Sequence, residues 1–361
     1  MTPERADILA RAAGLRARFE QAGAQVVETP ILQPAGTLLD LYGEDIRARA
    51  YITSDALRGE QMLRPDFTVP VVQMHMAGGA EPARYTYAGE VFRRQEDDPD
   101  RDNEYIQVGY EVFDRTDPAA ADAEVFALIH AAVAGLPLRA ATGDIGILMA
   151  AVAGLETTAA RRAALMRHIW RPRRFRALLD RFGGVPAPHR SKLLACKDPM
   201  AGAGLEIGLR SVDEVRARIE ALRADAETPP IGQDQIAALE ALLAVRDPLP
   251  IALEKLSGIS ALLPSIAPAL DRLAARIEAL SRHGLDVDQL PFEASYGRVS
   301  MEYYDGFVFG FYAAGDDMMP AVATGGRYDA LTRRLGRGAE IPAVGGVLRP
   351  GLILRLEGGA P

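Results

Sequence analysis

Arg64-Pro65-Asp66-Phe67-Thr68 sets a guanidinium, a carboxylate and a hydroxyl within five residues, just ahead of the apolar run from Val69 to Val72. As a pocket floor, Asp66 would hold a ligand ammonium through a charge-assisted hydrogen bond and Thr68 would add a neutral one. As plain structure, the same residues would cap and start a helix, and residue type alone favours that reading. A second set lies on a candidate hairpin, RYTYAGEVFRR, QEDDPDRDN and EYIQVGYEVFD. Strand side chains alternate, so Val91 and Arg93 share one face, and Gln107, Gly109 and Glu111 share one on the partner strand. Arginine beside Gln and Glu would suit a ligand with an anionic and a cationic end, with Gly109 leaving room above the sheet. A solvated, salt-bridged sheet surface is the competing reading. Gly325-Gly326-Arg327-Tyr328-Asp329 could bring backbone close to a ligand, although a Gly-Gly pair is more often a turn.

Other chemistries find no support. The sequence has neither GxxxxGK[ST] nor GxGxxG between strand and helix, which removes P-loop and dinucleotide chemistry. His75, His130, His168, His189 and His283 are scattered without metal-ligand spacing, so neither a metal nor a cofactor is expected. Cys196 is the only cysteine, which excludes an internal disulfide and fits a reducing compartment. Trp170, Arg171, Arg173 and Arg174 form a small basic aromatic cluster that reads as helix surface.

The elements that must position these groups follow from periodicity. Ile8, Leu9, Ala12, Leu15 and Phe19 predict an amphipathic helix over 3–23 with Gly23 as its stop. Residues 24–32 predict an edge or interface strand, because Pro30 cannot donate to a ladder. The hairpin over 85–114 is followed by an alanine-rich helix at 119–135 and a strand from Ala140 entering a helix near Leu148. Strand character returns from Phe292 to Tyr312, and the segment 323–329 leads into a short helix before the apolar stretch Ala343 to Leu356. Between them, 156–285 is rich in arginine, alanine and leucine and reads as a helical insertion, broken at Gly183-Gly184 and Pro229-Pro230. The class is α+β: a core domain from 1–155 and 286–361, and an insertion domain at 156–285.

With 361 residues the chain can bury a sizeable core. Its net charge is −8, which argues against nucleic acid as the main partner. No apolar stretch approaches the ~20 residues of a membrane span, and the N-terminus has no signal-peptide core, so a cytoplasmic location is expected.

Taken in order, these segments resemble the catalytic domain of class II aminoacyl-tRNA synthetases, histidyl-tRNA synthetase above all, from Phe19 to Leu356. GAQVVETPILQP resembles the first class II signature, whose proline lies at a dimer interface. MLRPDFTVPV is similar to the "RPEGT" stretch, and RYTYAGEVFRRQ with EYIQVGYEVFD to the second signature and the QxGxE strand. EYYDGFVF resembles the histidine-binding "LDYYxGxVF" stretch and ATGGRYDAL the "GGGRYD" loop. The resemblance implies a mainly antiparallel sheet flanked by helices. It also implies a homodimeric core and a histidine-type site lined by Asp66, Thr68, Arg93, Gln107, Glu111, Tyr303 and Tyr304.

The departures define the functional expectation. Aligned on the family pattern, Val299 stands where an arginine would stabilise the reacting carboxylate and phosphate, with Arg298 one residue away and facing the other side of a strand. In AVGGVLRPGLIL, Gly351 and Leu352 occupy the glutamate and arginine positions of the third signature. Losing one preorganised electrostatic group costs roughly 3 kcal/mol of transition-state stabilisation, so adenylate formation is not expected. Nine residues follow Leu352, too few for an anticodon-binding domain. This combination is similar to the regulatory-subunit family of ATP phosphoribosyltransferase, which implies a hetero-oligomer with the short-form catalytic subunit and a part in histidine feedback. The alternatives are an active synthetase-like ligase acting on a free amino acid or protein, and a histidine sensor with another partner.

Overall fold

The computed structural model describes residues 3–36, 46, 48–95, 101–204, 207–298, 302–316 and 318–358. The first part of the chain runs α1 (Arg5–Gln21), β1 (Gln25–Val26), β2 (Leu32–Pro34), β3 (Ile52–Asp55), β4 (Gly59–Leu63), α2 (Thr68–Met76), β5 (Ala83–Phe92), β6 (Glu104–Phe113), α3 (Pro118–Ala132), β7 (Leu138–Asp144) and α4 (Ile145–Ala153). A helical stretch follows: α5 (Ala159–Arg167), α6 (Pro172–Phe182), α7 (Pro188–Ala195), α8 (Val212–Glu227), α9 (Gln233–Ala244), a short strand β8 (Arg246–Pro248), α10 (Leu249–Ile259) and α11 (Ala267–Arg282). The chain then returns through β9 (Pro291–Glu293), β10 (Phe307–Ala313), β11 (Ala323–Arg327), α12 (Asp329–Leu335), β12 (Ala343–Leu348) and α13 (Pro350–Gly358).

Nine strands form one sheet in the order β1-β5-β6-β12-β11-β10-β7-β9-β8, antiparallel except where β1 meets β5 and β7 meets β9. Three more, β2-β4-β3, make a small separate sheet. Because β6 pairs with β12, segments more than two hundred residues apart in sequence lie side by side at the sheet centre. Local sequence explains the flanking helices. In α1, Ala12, Leu15 and Phe19 recur on one face and are buried, and Gly23 at φ +92° lets the chain turn out of the helix. In α3, Asp117 caps Ala120 N at 3.0 Å and Pro118 occupies the first turn, where its missing N–H costs nothing. Phe126 of α3 then packs on Phe307, Phe309 and Phe311 of β10, with ring centroids 5.2–6.1 Å apart.

Three expectations change. Residues 24–32 do not form one strand: β1 is an edge of the large sheet, β2 belongs to the small one, and Pro30 lies between them where the chain crosses over. The stretch from Phe292 to Tyr312 is likewise two strands, β9 and β10, with no strand among the described residues between them. Gly325 and Gly326 are not a turn but sit inside β11, between β10 and β12. The helix of 3–23, the hairpin, the strand-to-helix passage at 140–148 and the helix-rich 156–285 are found as expected; residues 96–100 of the hairpin loop lie outside the described ones. The last helix of that stretch, α11, packs along α3 and so ties the helical segment to the sheet. Among the described residues no helix is long and apolar enough to cross a membrane.

Candidate functional site

Paired glycines clear space at the sheet centre. Gly326 lies opposite Gly345, which in turn lies opposite Glu111; one residue along, Gly325 faces Gly346, which faces Tyr110. A Cβ on Gly345 would fall on the Glu111 carboxylate, and one on Gly326 would sit 2.8 Å from the Tyr304 ring. On the other face, Gly325 and Gly346 make room for Phe309 and for Ile129 of α3. Gly109 likewise leaves its space to the Tyr87 ring. Backbone approach matters here, as the sequence suggested, but it admits the protein's own side chains.

Those side chains build the polar site. Glu111 is buried, and one carboxylate oxygen accepts from Thr68 Oγ1 at 3.1 Å and from the Tyr87 hydroxyl at 2.7 Å. The other accepts from the Tyr328 hydroxyl. Burial pushes the Glu111 carboxyl up to about 7, against the opposing pull of the three hydroxyls. Asp66, also buried, accepts from the Tyr303 hydroxyl at 3.5 Å and lies 3.6 Å from the Arg93 guanidinium. Tyr303 and Tyr304 meet edge to face at 4.9 Å. Burial, then the charges of Glu111 and Asp66, raise the Tyr304 hydroxyl above the usual range. Gln107 is buried on the same face of β6, and its Oε1 has no hydrogen-bond partner among the described residues. Leaving such an atom unpaired costs about 1–3 kcal/mol, so it marks where a donor from a bound molecule is favoured.

The structure sets Thr68 on Glu111, Asp66 on Arg93 and Tyr303, Tyr304 against Tyr303, and Gln107 on the Glu111 face of β6; a helix does start at Thr68, but neither Asp66 nor Thr68 caps it. Phe67 holds the cap position of α2 without any side-chain bond, while Thr68 bonds Glu111 instead. Arg93 donates to Pro65 O at 2.7 Å in addition to its contact with Asp66, so it braces the floor of the site.

The positions that depart from the synthetase pattern are also placed. Val299 lies outside the described residues. Its neighbour Arg298 is buried against the helical stretch, where Nε donates to Ile169 O at 2.9 Å and the guanidinium sits 4.8 Å over Phe175. Leu352 is half-buried in α13, packed against the apolar core. Three residues earlier, Arg349 donates to Ala321 O at 2.9 Å, and its guanidinium lies 5.7 Å from the Tyr105 ring.

Sequence reasoning missed two partners of Glu111 and a network behind the sheet. Tyr87 had a signal, its place opposite Gly109 in the hairpin register; Tyr328 had one in the segment after Gly326, but neither pointed to Glu111. On the helix-covered face, Arg327 bonds Asp122 at 2.8 and 3.0 Å and Asp329 at 2.9 Å. Arg276 of α11 bonds Asp122 at 2.8 Å and Asp144 at 2.9 Å, and its guanidinium lies 4.5 Å over Phe307. Asp144 caps α4 with its other oxygen. Asp305 accepts from the backbone amides of Asp329 and Ala330, and burial with the nearby Asp329 charge pushes it up to about 7. These carboxylates fix α11, α12 and β11 relative to each other.

Comparison with known proteins places this arrangement. The family model for histidyl-tRNA synthetase matches residues 1–204 and 208–351. The ATP phosphoribosyltransferase regulatory subunit of Mesorhizobium japonicum is 33% identical over 359 residues, covering 92% of this chain and 94% of its own. The one from Brucella anthropi is 30% identical over 354 residues, covering 92% and 93%. Among solved structures, an ATP phosphoribosyltransferase regulatory subunit/histidyl-tRNA synthetase from Bacillus halodurans superposes with a TM-score of 0.68 at 22% identity, over 99% of this chain and 81% of that one. A histidine–tRNA ligase subunit from Alicyclobacillus acidocaldarius gives 0.62 at 22% identity, over 99% and 96%. The class II synthetase-like fold follows.

Proposed function

The chain belongs to the histidyl-tRNA synthetase family and, within it, to the ATP phosphoribosyltransferase regulatory subunits, and on that premise we propose that it is the non-catalytic subunit required by a short-form ATP phosphoribosyltransferase in the first step of histidine biosynthesis. The observation that carries this reading is the end-to-end match to regulatory subunits at 33% identity. A cytoplasmic location is part of the same reading. Absence of synthetase chemistry is supported by Leu352 at the position of the third-signature arginine, and by Arg298 being committed to Ile169 and Phe175. The site at the sheet centre is read as a histidine pocket. Asp66 and Glu111 face the ligand's ammonium or imidazole nitrogens, Gln107 Oε1 accepts a donor, and Tyr303 and Tyr304 supply an apolar wall with polar tips.

The deciding experiment purifies the chain with and without a short-form catalytic subunit and measures ATP-dependent phosphoribosyl transfer and its inhibition by histidine. Transfer is expected only from the mixture. Activity of the catalytic subunit that is unchanged by this chain would refute the regulatory role, and histidine- and ATP-dependent pyrophosphate exchange by this chain alone would refute the non-catalytic one. A homodimeric core is part of the same reading, resting on β1 at the sheet edge and on the exposed Val26, Ile31 and Leu32 beside it. Light scattering should give a dimer at micromolar concentration, and a monomer would remove it.

A further inference from the structure

The helical stretch holds a concentration of positive charge that the regulatory reading does not use. A cavity of about 490 Å³ opens between α6, α7 and α8, and its wall carries His168, Arg173, Arg174, Arg181, Arg190 and Arg218 with no carboxylate. Nearby arginines are neutralised: Arg161 by Asp225, Arg176 by Asp180 and Glu240, Arg216 by Asp213, Arg223 by Glu220. Of the cavity's arginines, only Arg181 has an acid partner among the described residues, Asp225, which it shares with Arg161. Among the described residues Arg173, Arg174, Arg190 and Arg218 make no ion pair, and Arg181 reaches Asp225 only at 3.7 Å while its buried Nε has no acceptor. Burial lowers its pKa from the usual value, against the pull of Asp225 and with the repulsion of Arg190, Arg218 and Arg161. Core packing does not account for the arrangement either, since α7 and α8 bury no residue completely.

Five guanidiniums around one small concavity repel each other, and an occupant with several negative charges on a compact body relieves that repulsion. Guanidinium forks match phosphate oxygens two at a time, and the volume falls in the range of small-molecule sites, roughly 300–1,000 Å³. An acidic peptide or a nucleic acid would use a longer groove. We infer that this cavity is a binding site for a compact polyphosphate, meaning an inorganic polyphosphate or the phosphate chain of a nucleotide or sugar diphosphate. The site is separate from the sheet-centre pocket. Its test needs no catalytic subunit, so its failure and failure of the regulatory reading are distinguishable.

Inorganic tripolyphosphate is titrated into the full chain at low ionic strength by calorimetry, with fluorescence of Trp170, the only tryptophan, as a second signal because it lies two residues from His168. One site per chain is expected, binding at least tenfold tighter than sulfate and weakening steeply with salt. The double variant R173E/R174E changes two exposed side chains on the first turn of α6, and circular dichroism checks its fold. It should weaken tripolyphosphate binding at least tenfold, as should R218E on α8. ATP binding equal to tripolyphosphate assigns recognition to the phosphate chain, and ATP binding at least tenfold tighter assigns it to a nucleotide; both support the site. No binding at millimolar tripolyphosphate, affinity unchanged in folded variants, or a short oligonucleotide binding more tightly through the same arginines would overturn it.

Discussion

Replacing Glu111 by glutamine tests whether the sheet-centre site is built around a buried acid that titrates near neutrality. In the native protein the carboxyl is fully buried, and its pKa is pushed from 4.5 to about 7 by desolvation, despite hydroxyls from Thr68, Tyr87 and Tyr328. The unfolded chain keeps an ordinary glutamate. Between pH 4.5 and 7 the native state therefore binds more protons than the unfolded one, so stability falls as pH rises through that window and levels off above it. A displacement of this size amounts to about 3 kcal/mol above pH 8. Glutamine is isosteric and never charged, so E111Q should lack this loss. Both side chains leave one of the three hydroxyls to reorient when neutral, so the two proteins should melt together below about pH 4.5. At pH 8.5 the variant should melt higher, by about 6 °C at roughly 2 °C per kcal/mol for a chain of this size. Asp305 also lies near 7 but behind the sheet, and its contribution cancels in the difference between the two proteins. The assay is thermal unfolding by circular dichroism from pH 4 to 8.5. A difference that stays flat over that range means Glu111 does not titrate there, and the reasoning is wrong. Ligand binding gives a second readout, because a cation seated on Glu111 draws its pKa down and at pH 7 releases about half a proton. Calorimetry in buffers of different ionisation enthalpy measures that release, and E111Q should abolish it.

Three further outcomes follow from the same geometry. Histidine at a hundredfold excess over its dissociation constant should stabilise the chain by about 2.7 kcal/mol, seen as a rise in Tm, and D66A should remove that rise; equal shifts in both proteins would place histidine elsewhere. R276A strands the buried carboxylate of Asp144 and leaves Asp122 with Arg327 alone, and should cost about 3–5 kcal/mol in chemical denaturation, whereas a loss under 1 kcal/mol would show that the network is not what anchors α11. G345A places a methyl group on the Glu111 carboxylate and should cost about 1–3 kcal/mol while flattening the pH dependence of stability, and retention of the wild-type profile would contradict the close packing described.

Much of the site was legible because its parts lie in short segments with strong local patterns. The alternation in RYTYAGEVF and EYIQVGYEVF fixed the faces, so Gln107 and Glu111 could be assigned to one side before their neighbours were known. What faced them could not be read, since the partners come from α2 and from Tyr328 between β11 and α12, through contacts across 43 and 217 residues. Gly325 and Gly326 show the limit clearly. Two glycines together signal a turn when only local propensity is considered. Here they are strand residues, required by Phe309 and Tyr304 crossing over them from other segments. The arginines of the helical stretch were invisible for a related reason. Arg173 and Arg174 stood out as a pair, but the net charge of −8 concealed that folding brings Arg181, Arg190 and Arg218 to the same cavity without any acid.

Two buried acids on opposite faces of the central sheet, Asp122 and Glu111, are met in different ways, and the difference bears on function. Behind the sheet, Asp122 receives both Arg276 and Arg327, and that arrangement holds three elements in fixed relation. In front, Glu111 is met only by hydroxyls, so no cation neutralises it and its pKa rises. An acid intended only to stabilise the fold would gain more from an arginine than from Thr68, Tyr87 and Tyr328. Hydroxyl partners orient the carboxylate but leave its charge available, and Gln107 Oε1 four residues away on the same strand face has no donor among the described residues. A molecule bringing a positive nitrogen and a neutral N–H would satisfy both at once.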